Sequence, residues 1–340
     1  MDRLVNKRFK NTSDLDRMQE LSFLLSFDKM DNNRYALLRS RGASVYARGY
    51  EYPVSEKATS ANRWNGWVEL MNRALDPMSI VHKARLLAET RADILLLQEI
   101  EDRESLMRLN KRILPEYPNL NYQSIVVVPG NDLKGVEQGL LLKKGYKIEN
   151  LCLFTEDKDE YGELIFKRNC LSYEIILPGK ERLWILSAQL QDANEDKEKA
   201  DEQRLKQSKR ITELYQAVRK RGIENILVMG TFHAPAYCYS LAPILQETDL
   251  KDLCRHPNFQ SPMDKSKTEY HRLGAYRKGI NMRQQDYILM SPKLFKRVQS
   301  AGINRRGIWA GFPSQWVVYP TLKEKRQQAS EHPLLWIEVN

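Results

Sequence analysis

Long hydrophobic runs are missing from this sequence of 340 residues. No apolar stretch approaches the ~20 residues that a membrane-spanning helix needs. The first residues, MDRLVNKRFKNTSD, are charged and contain no hydrophobic signal region. We therefore expect a cytoplasmic protein that does not act in a membrane.

Cysteine is also scarce, and its spacing indicates no special chemistry. The four cysteines are Cys152, Cys170, Cys238 and Cys254. None forms a CxxC pair or has the spacing of a metal finger. Cys152 and Cys170 lie in apolar, strand-like runs, where a free thiol packs as a small hydrophobic group. The pattern indicates neither a disulfide framework nor a cysteine-based zinc site.

Positive charge is abundant. The formal net charge is +10, the sequence pI is about 9.3, and 42% of the residues are hydrophobic, which is enough for a large core. A basic balance suits a phosphate-rich partner such as nucleic acid, although a merely basic surface explains it equally well. Trp309, Trp316 and Tyr319 lie near basic runs and could stack on bases. Packing against the edge of a sheet is the favoured alternative for these aromatic residues.

Two amphipathic patterns predict the clearest helices. MSIVHKARLLAETRAD has apolar residues at helical spacing and leads directly into ILLLQEI, a short buried strand. DEQRLKQSKRITELYQAVRKRG places Leu205, Ile211, Leu214 and Val218 on one face, and Gly222 is its expected C-cap. A further helix is predicted in TSDLDRMQELSFLLSFDKM. His82, on the first of these patterns, is expected to be a surface histidine.

The remaining segments predict strands and one long insertion. GLLLKKGYKI, ENLCLF and RNCLSYEIILPGKERLWILSAQL are interpreted as consecutive strands joined by turns. Residues 31–63 are polar and poorly periodic, which favours a surface insertion or long loop. Strand–helix–strand units beside hairpin-like strands imply mixed sheets covered by helices. We expect one domain over residues 1–340.

Several motifs occur in a characteristic order along the chain. ADILLLQEIED is a buried strand that ends in Gln-Glu, and ILVMGTFHAPAYCYSLAPIL is a second apolar strand followed by a loop. QQDYILMSPKLF and ASEHPLLWIEV follow near the C-terminus. WNGWVEL, PGNDLKGVEQGLLLKKGY and FKRNCLSYEI add to the pattern. From about residue 64 onward, the sequence resembles a bacterial branch of the endonuclease/exonuclease/phosphatase superfamily of metal-dependent phosphodiesterases.

The resemblance implies a fold and a place for the site. The fold is α/β, a four-layer α/β/β/α sandwich of two mixed β-sheets, as in DNase I. The site lies where strand ends converge at one edge of the sandwich. The expected domain has the insertion near residues 31–63. Its first strand is atypical or missing, and Asn6 is a doubtful remnant of the asparagine that ends that strand in the family.

Some family positions are retained in this sequence. Glu99 matches the metal-binding glutamate, which implies Mg²⁺ or Mn²⁺, because both prefer oxygen ligands. Asp286 matches the aspartate that orients the catalytic histidine, and His332 matches that histidine. Asn131 and Asp132 match a loop of the bacterial branch to which the resemblance assigns no role, so substrate binding and ordinary turn chemistry both stay open for them.

Other family positions are substituted. Thr231 replaces the aspartate of a Gly-Asp-Phe-Asn loop, and His233 replaces its asparagine. Glu331 replaces the aspartate before the final histidine. Ala188 and Gln189 replace an asparagine and a histidine. A threonine cannot position a nucleophilic water as a carboxylate does, and glutamine cannot transfer a proton at neutral pH.

These substitutions favour a catalytically impaired protein. General acid–base groups each contribute ~10²–10⁴ to a rate, so losing two would bring the usual mechanism near background. We expect a pseudoenzyme that acts as a binding or scaffolding module for nucleic acid, another phosphodiester or a protein partner. It then needs no cofactor.

Two alternatives stay open at this point. In the first, Glu99, His233, Asp286 and His332 form an altered site of an active phosphodiesterase or nuclease, which holds Mg²⁺, Mn²⁺ or, through its imidazoles, Zn²⁺. In the second, the chain is a purely structural part of a larger assembly, with no ligand in the cleft.

Overall fold

The computed structural model describes the chain in segments. The described residues are 4, 7, 10–24, 36–40, 66–70, 76–118, 120–128, 130–132, 136–192, 196–261, 284–311 and 316–340. None of the helices within these segments is both long and apolar enough to cross a membrane.

The described segments form helices and short strands in a mixed order. The α-helices are α1 (Thr12–Leu24), α2 (Pro77–Thr90), α3 (Arg103–Arg108), α4 (Lys197–Lys220), α5 (Ala242–Gln246) and α6 (Pro292–Lys296). The strands are β1 (Ala36–Ser40), β2 (Gly66–Leu70), β3 (Ile94–Ile100), β4 (Ser124–Val128), β5 (Glu137–Leu142), β6 (Lys147–Leu153), β7 (Cys170–Ile176), β8 (Arg182–Ala188), β9 (Ile226–Thr231), β10 (Lys251–Asp252), β11 (Phe259–Gln260), β12 (Asp286–Met290), β13 (Val298–Asn304) and β14 (Leu334–Val339). A π-helical turn, Leu109–Ile113, continues α3.

A six-stranded sheet is the largest element of the fold. Its strand order is β10-β12-β9-β8-β7-β6, in which β8 and β9 are parallel and the other pairs are antiparallel. The strands β7, β8 and β9 in its middle are apolar runs with little alternation. Such runs are typical of strands covered on both faces. This agrees with the mixed α/β architecture predicted from the sequence.

Two three-stranded sheets share a core with the large one. Their orders are β3-β5-β4 and β11-β13-β14. A single apolar cluster contains Leu142 of β5, Ile175 of β7, Ile288 of β12 and Ala301 of β13. All three sheets therefore contribute side chains to one core, in which burial of apolar area supplies the main driving force for folding.

Helix α4 covers the other face of the six-stranded sheet. Ile211, Tyr215 and Val218 of α4 pack against Trp184 and Val228 of the sheet. The Asp196 carboxylate accepts from the Lys199 backbone N–H and caps the helix. Gly222 follows the helix end with φ +80°, a left-handed conformation that suits glycine after a helix. Three of the four predicted apolar residues, Ile211, Leu214 and Val218, thus pack on the sheet, and the predicted glycine is found, whereas Leu205 is not part of this cluster.

His82 is fully buried, so its prediction as a surface residue was wrong. Its Nδ1 lies 2.7 Å from the Gln327 carbonyl oxygen, and its Nε2 lies 2.8 Å from the Thr321 hydroxyl. Both ring nitrogens have partners, which removes the usual cost of burying a polar ring. These partners lie more than 200 residues away in sequence, so no local pattern could indicate them.

Tyr319 packs inside the fold rather than facing a ligand. It is fully buried and stacks on His82, with ring centroids 5.6 Å apart. The guanidinium groups of Arg85 and Arg306 lie 4.3 and 5.0 Å from the centre of its ring. Trp316 donates from its indole N–H to the Ile308 carbonyl oxygen. These contacts support packing for Tyr319 and Trp316 over stacking on bases.

The expected insertion at residues 31–63 contains a strand. Strand β1 pairs with β2, which follows the segment, as a separate antiparallel two-stranded sheet. Ala36–Ser40 is therefore a strand and not a loop, and an insertion at residues 31–63 stays a prediction. The rest of residues 31–63 lies outside the described residues, as does Asn6.

Candidate functional site

Gln98 at the end of β3 joins three strand ends. Its side-chain Oε1 accepts from the Thr231 backbone N–H at 3.1 Å. Its Nε2 donates to the Ala188 carbonyl oxygen at 3.1 Å. Gly230 makes this approach possible, because a Cβ there would lie 2.0 Å from the Ala188 oxygen, and its φ is +139°. The ends of β3, β8 and β9 are therefore held in one place.

Glu99 leaves the regular pairing of β3 and lies where the ends of β3, β8 and β9 meet. The pairing of β3 with β5 shifts register between Leu97 and Ile100, and Glu99 has φ +56°. A non-glycine residue in this region is uncommon and costs of order 1 kcal/mol. The side chain of Glu99 is 55% exposed. The bulge therefore presents a carboxylate at the strand end.

Thr231, Asp286 and His332 form a connected group. Thr231 and Asp286 are paired across β9 and β12, and the Thr231 hydroxyl donates to Asp286 Oδ1 at 2.7 Å. His332 Nδ1 lies 3.0 Å from each carboxylate oxygen of Asp286. This hydrogen bond raises the pKa of His332 above its usual value, against the opposing effect of burial. The His–Asp pair inferred from the sequence is thus formed geometrically.

Arg168 is the residue that the sequence analysis missed. Its Nη1 lies 3.3 Å from Glu99 Oε1, its Nη2 2.8 Å from Asp192 Oδ2, and its Nε 3.4 Å from Asp132 Oδ2. Its side chain is only 14% exposed. Each side of the guanidinium fork thus faces a carboxylate, a geometry that lysine cannot reproduce. The only sequence signal was its place in FKRNCLSYEI, next to the start of β7.

Gln189 also binds Glu99. Its Nε2 donates to Glu99 Oε1 at 2.7 Å, so the same oxygen faces both Gln189 and Arg168. The sequence-predicted positions Glu99 and Gln189 are therefore in direct contact. The carboxylate charge of Glu99 is compensated by a guanidinium and an amide.

His233 lies beside His332 but differs from it in environment. The two rings are 6.2 Å apart and nearly perpendicular, at 88°. Burial, and next the positive charge of Arg168, lower the pKa of His233 to about 4. Its Nε2 is buried and has no hydrogen-bond partner among the described residues. Its φ is +52°. His233 is therefore a neutral imidazole on a left-handed backbone.

The other predicted positions lie around this centre or away from it. Asn131 donates from Nδ2 to the Phe166 carbonyl oxygen at 2.9 Å and to the Thr155 carbonyl oxygen, which fixes a neighbouring loop. Asp132 contacts Arg168. Glu331 is 77% exposed and lies 3.9 Å from Lys325, and its charge contributes to raising the pKa of His332.

A bound divalent cation does not fit this arrangement well. Within the described segments, no group of three or more His, Cys, Asp or Glu side chains is placed to hold a metal ion. Oε1 of Glu99 already faces the donors of Gln189 and Arg168, so a metal ion at that oxygen would have to displace them.

Comparison with solved structures finds similar folds at low sequence identity. An endonuclease/exonuclease/phosphatase family protein from Bacteroides thetaiotaomicron has a TM-score of 0.44 at 13% identity, over 66% of this chain and 75% of the other. The human Nocturnin catalytic domain, solved with a bound sulfate anion, has a TM-score of 0.47 at 16% identity, over 68% and 81%. TDP2 from C. elegans has a TM-score of 0.48 at 14% identity, over 77% and 70%.

The chain is thus structurally similar to members of the endonuclease/exonuclease/phosphatase superfamily, as the sequence motifs predicted. No protein-family model matches the sequence, and no curated protein matches it. At this identity the likeness concerns the fold and does not extend to activity or substrate.

Because Arg168 contacts three carboxylates, Arg168→Lys should lower the stability of the protein more than the same substitution at an arginine with one partner. A single ammonium cannot reach all three carboxylates, so we expect a loss of about 2 kcal/mol in the free energy of unfolding. Urea denaturation at pH 7 measures it. The control is Arg219→Lys, because Arg219 makes a single ion pair within the described residues, with Asp249 at 3.5 Å. That change should cost under about 0.5 kcal/mol. Equal losses would contradict the bridging role.

Because the pKa of His233 is lowered, we expect the free energy of unfolding to decrease as the pH falls. Between pH 6.5 and about 4 the unfolded chain binds a proton at this residue that the folded chain does not, so acid favours unfolding. His233→Asn removes this proton and suits the left-handed backbone. Between pH 7 and pH 4.5, we expect the free energy of unfolding of wild type to decrease by about 2 kcal/mol relative to that of the variant.

His332→Asn is the control of opposite sign. The raised pKa of His332 means that its contribution is complete below its unfolded pKa and disappears as pH rises through the folded pKa. The free energy of unfolding of wild type should therefore increase relative to that of this variant as the pH falls. Urea titrations at several pH values measure both trends. A pH-independent difference for His233→Asn would refute the assignment of a buried neutral imidazole.

Proposed function

We propose that this chain is an endonuclease/exonuclease/phosphatase-like protein that no longer hydrolyses phosphodiesters and instead binds nucleic acid or another phosphodiester. The proposal includes the four-layer α/β/β/α arrangement of a single domain. The observation that carries it is the guanidinium of Arg168 between Glu99, Asp132 and Asp192. It supplies fixed positive charge where a hydrolase of this kind needs an exchangeable metal ion.

The chemistry around Asp286 supports the same conclusion. Hydrolysis needs a base or carboxylate to position the attacking water. Thr231 is at that family position, and its hydroxyl donates to Asp286. Gln189, at the position of a family histidine, donates to Glu99 and cannot carry a proton. Each missing acid–base group costs ~10²–10⁴ in rate. The surviving His332–Asp286 pair therefore lacks the partners it needs for catalysis.

A basic segment beside the site supports binding of a polyanion. Residues 103–113, which comprise α3 and the π-helical turn, contain the cations Arg103, Arg108, Lys111 and Arg112 and the single acid Glu104, for a net charge of 4 − 1 = +3. Arg108 and Arg112 are exposed and line the cavity that also contains Glu99 and His332. Phosphate contacts of this kind supply most of the affinity for nucleic acid.

The retained His–Asp pair is the observation that favours the second candidate, an altered but active phosphodiesterase. In that case Glu99, His233, Asp286 and His332 would bind and use Mn²⁺, Mg²⁺ or Zn²⁺. The two candidates differ in metal binding and in turnover, which can be measured separately.

Loss of catalysis predicts no turnover above background. We expect no hydrolysis of bis(p-nitrophenyl) phosphate, single-stranded DNA or RNA with Mg²⁺, Mn²⁺ or Zn²⁺, and no binding of these ions in calorimetry. The Glu99→Ala variant should behave as wild type does in both measurements. Metal-dependent cleavage that disappears in Glu99→Ala, together with stoichiometric metal binding lost in the same variant, would establish the active alternative.

Polyanion binding predicts a role for the two arginines at the cavity. The double variant Arg108→Ala/Arg112→Ala should weaken binding of a labelled single-stranded DNA about equally for different sequences. It should also reduce the slope of log affinity against log salt by about 1–2. Fluorescence anisotropy over a salt series measures both quantities.

Lys209→Ala/Lys220→Ala is the matched control for that measurement. It also removes two exposed cations from a helix, but from α4, which packs on the opposite face of the large sheet. Its effect on affinity should be much smaller. If both double variants weaken binding equally, the positive charge acts as a diffuse surface property and the cavity is not the binding site.

A further inference from the structure

Among the described residues, the aromatic side chains that are more than half exposed are three tyrosines. Tyr161, Tyr237 and Tyr239 are 77%, 63% and 54% exposed. A single exposed ring is ordinary on a protein surface. Tyr161 and Tyr239, however, lie on two loops that both contact the first half of α4. Two exposed rings that are distant in sequence are therefore brought to the same helix.

The loop that carries Tyr161 is held to α4 by Asp159. Oδ1 of Asp159 accepts from the backbone N–H groups of Tyr161 and Glu163, both at 3.0 Å. Its Oδ2 accepts from Lys206 Nζ of α4 at 2.7 Å, and the same ammonium lies 5.7 Å from the centre of the Tyr161 ring. The ring is thus fixed beside α4 and already has a cation within the range of a cation–π contact.

The loop that carries Tyr239 is held to α4 by Asp201. Oδ1 of Asp201 accepts from the Cys238 thiol at 3.2 Å and from the Ser240 hydroxyl at 3.1 Å, so the residues on both sides of Tyr239 are tied to it. Arg204 donates to the same oxygen at 2.6 Å, and Asp201 is buried. The backbone that carries Tyr239 is therefore fixed, which limits the entropy lost when a ligand orders the ring.

The two loops contact different sides of α4. Asp201 and Lys206 are five positions apart, which corresponds to about 140° around a helix of 3.6 residues per turn. Glu198 and Glu202 fall within this angle, and both are exposed. Because a helix with its side chains is ~10–12 Å across, the two loops hold their rings roughly 10 Å apart. We call the surface formed by Tyr161, Glu198, Glu202 and Tyr239 the α4 face.

The α4 face is acidic, although the chain as a whole is basic. Residues 156–163 contain five acids and one base, for a net charge of 1 − 5 = −4, and in residues 196–206 four acids and four bases cancel. Lys209, two turns after Glu202 on the same side of α4, marks the end of this acidic part. A chain of net charge +10 thus carries an acidic surface here, which attracts cations and repels phosphate groups.

The acidic field reaches the Tyr239 ring. The pKa of Tyr239 is raised, first by partial desolvation and next by the charge of Asp201, with Glu202 and Glu198 contributing. A cation over this ring would therefore gain from the nearby carboxylates as well as from the aromatic face. Both kinds of contact favour the same class of ligand.

We propose that the α4 face binds a basic, extended segment of a partner protein with two arginines three positions apart. In a polyproline II segment, residues i and i+3 point the same way and are ~9 Å apart, which matches the distance between the two rings. Each guanidinium stacks on one tyrosine ring, and Glu198 and Glu202 lie between the two positive charges. This inference does not depend on the loss of catalysis or on nucleic-acid binding.

The test uses the full chain and two labelled peptides of the same composition. The probe is acetyl-Gly-Arg-Pro-Pro-Arg-Pro-Gly-amide, in which the arginines have the proposed spacing. The control peptide is acetyl-Gly-Arg-Arg-Pro-Pro-Pro-Gly-amide, in which they are adjacent. Binding is measured by fluorescence anisotropy at low ionic strength, with unlabelled probe and spermine as competitors. We expect the probe to bind severalfold more tightly than the control peptide.

Variants of the two tyrosines test the aromatic contacts. Tyr161→Leu/Tyr239→Leu should weaken binding of the probe by about tenfold, because two cation–π contacts are lost. Tyr161→Phe/Tyr239→Phe should bind as wild type does, since a phenylalanine ring keeps the aromatic face. Neither double variant should change the affinity for labelled single-stranded DNA.

Variants of the carboxylates test the charge contribution. Glu198→Gln/Glu202→Gln should weaken binding of the probe severalfold and reduce its salt dependence. The matched control is Glu116→Gln/Glu247→Gln, which removes two exposed carboxylates outside the α4 face and should have little effect.

Four results would overturn the proposal. The first is no binding of the probe, or equal binding of the two peptides. The second is an equal loss of affinity in the two glutamine double variants, which would mean diffuse attraction to acidic surface. The third is displacement of the probe by spermine as effectively as by unlabelled probe, which would mean a site for small polyamines. The fourth is self-association in sedimentation velocity that the leucine double variant abolishes, which would mean that a second copy covers the α4 face.

Discussion

The amide side chain of Gln98 is the interaction on which the arrangement of the site depends. It accepts from the backbone of Thr231 and donates to the backbone of Ala188, so one side chain ties three strand ends together. This tie adds the end of β3 to the ends of β8 and β9, which already lie side by side in the large sheet. Glu99, which follows Gln98 directly, is thereby brought to Gln189. A glutamine suits this position because its amide both donates and accepts.

The charged side chains within the site contact one another. Arg168 contacts three carboxylates, and His332 shares the carboxylate of Asp286 with the Thr231 hydroxyl. His233 stays neutral beside them, since both burial and Arg168 disfavour its charged form.

The spacing of apolar residues in the sequence correctly predicted several helices and strands. α2, α4, β3 and the strand leading to Thr231 follow from apolar spacing, and the contact between Asp286 and His332 follows from motif order. What local patterns could not give depends on contacts between distant residues. Arg168 is an ordinary arginine until the fold brings three carboxylates to it, and His82 is buried only because Thr321 and Gln327 meet its ring. Glu331 adjoins His332 in sequence, yet the carboxylate that binds the His332 ring belongs to Asp286, 46 residues earlier.

The hydrogen bond between Thr231 and Asp286 has a consequence for how this sequence can evolve. Their side-chain oxygens are 2.7 Å apart. A carboxylate restored at position 231 alone would stand next to that of Asp286, and two such groups about 3 Å apart cannot both be ionised. Unless another group separated the charges, Thr231→Asp alone would therefore force the new carboxyl group to share a proton with Asp286.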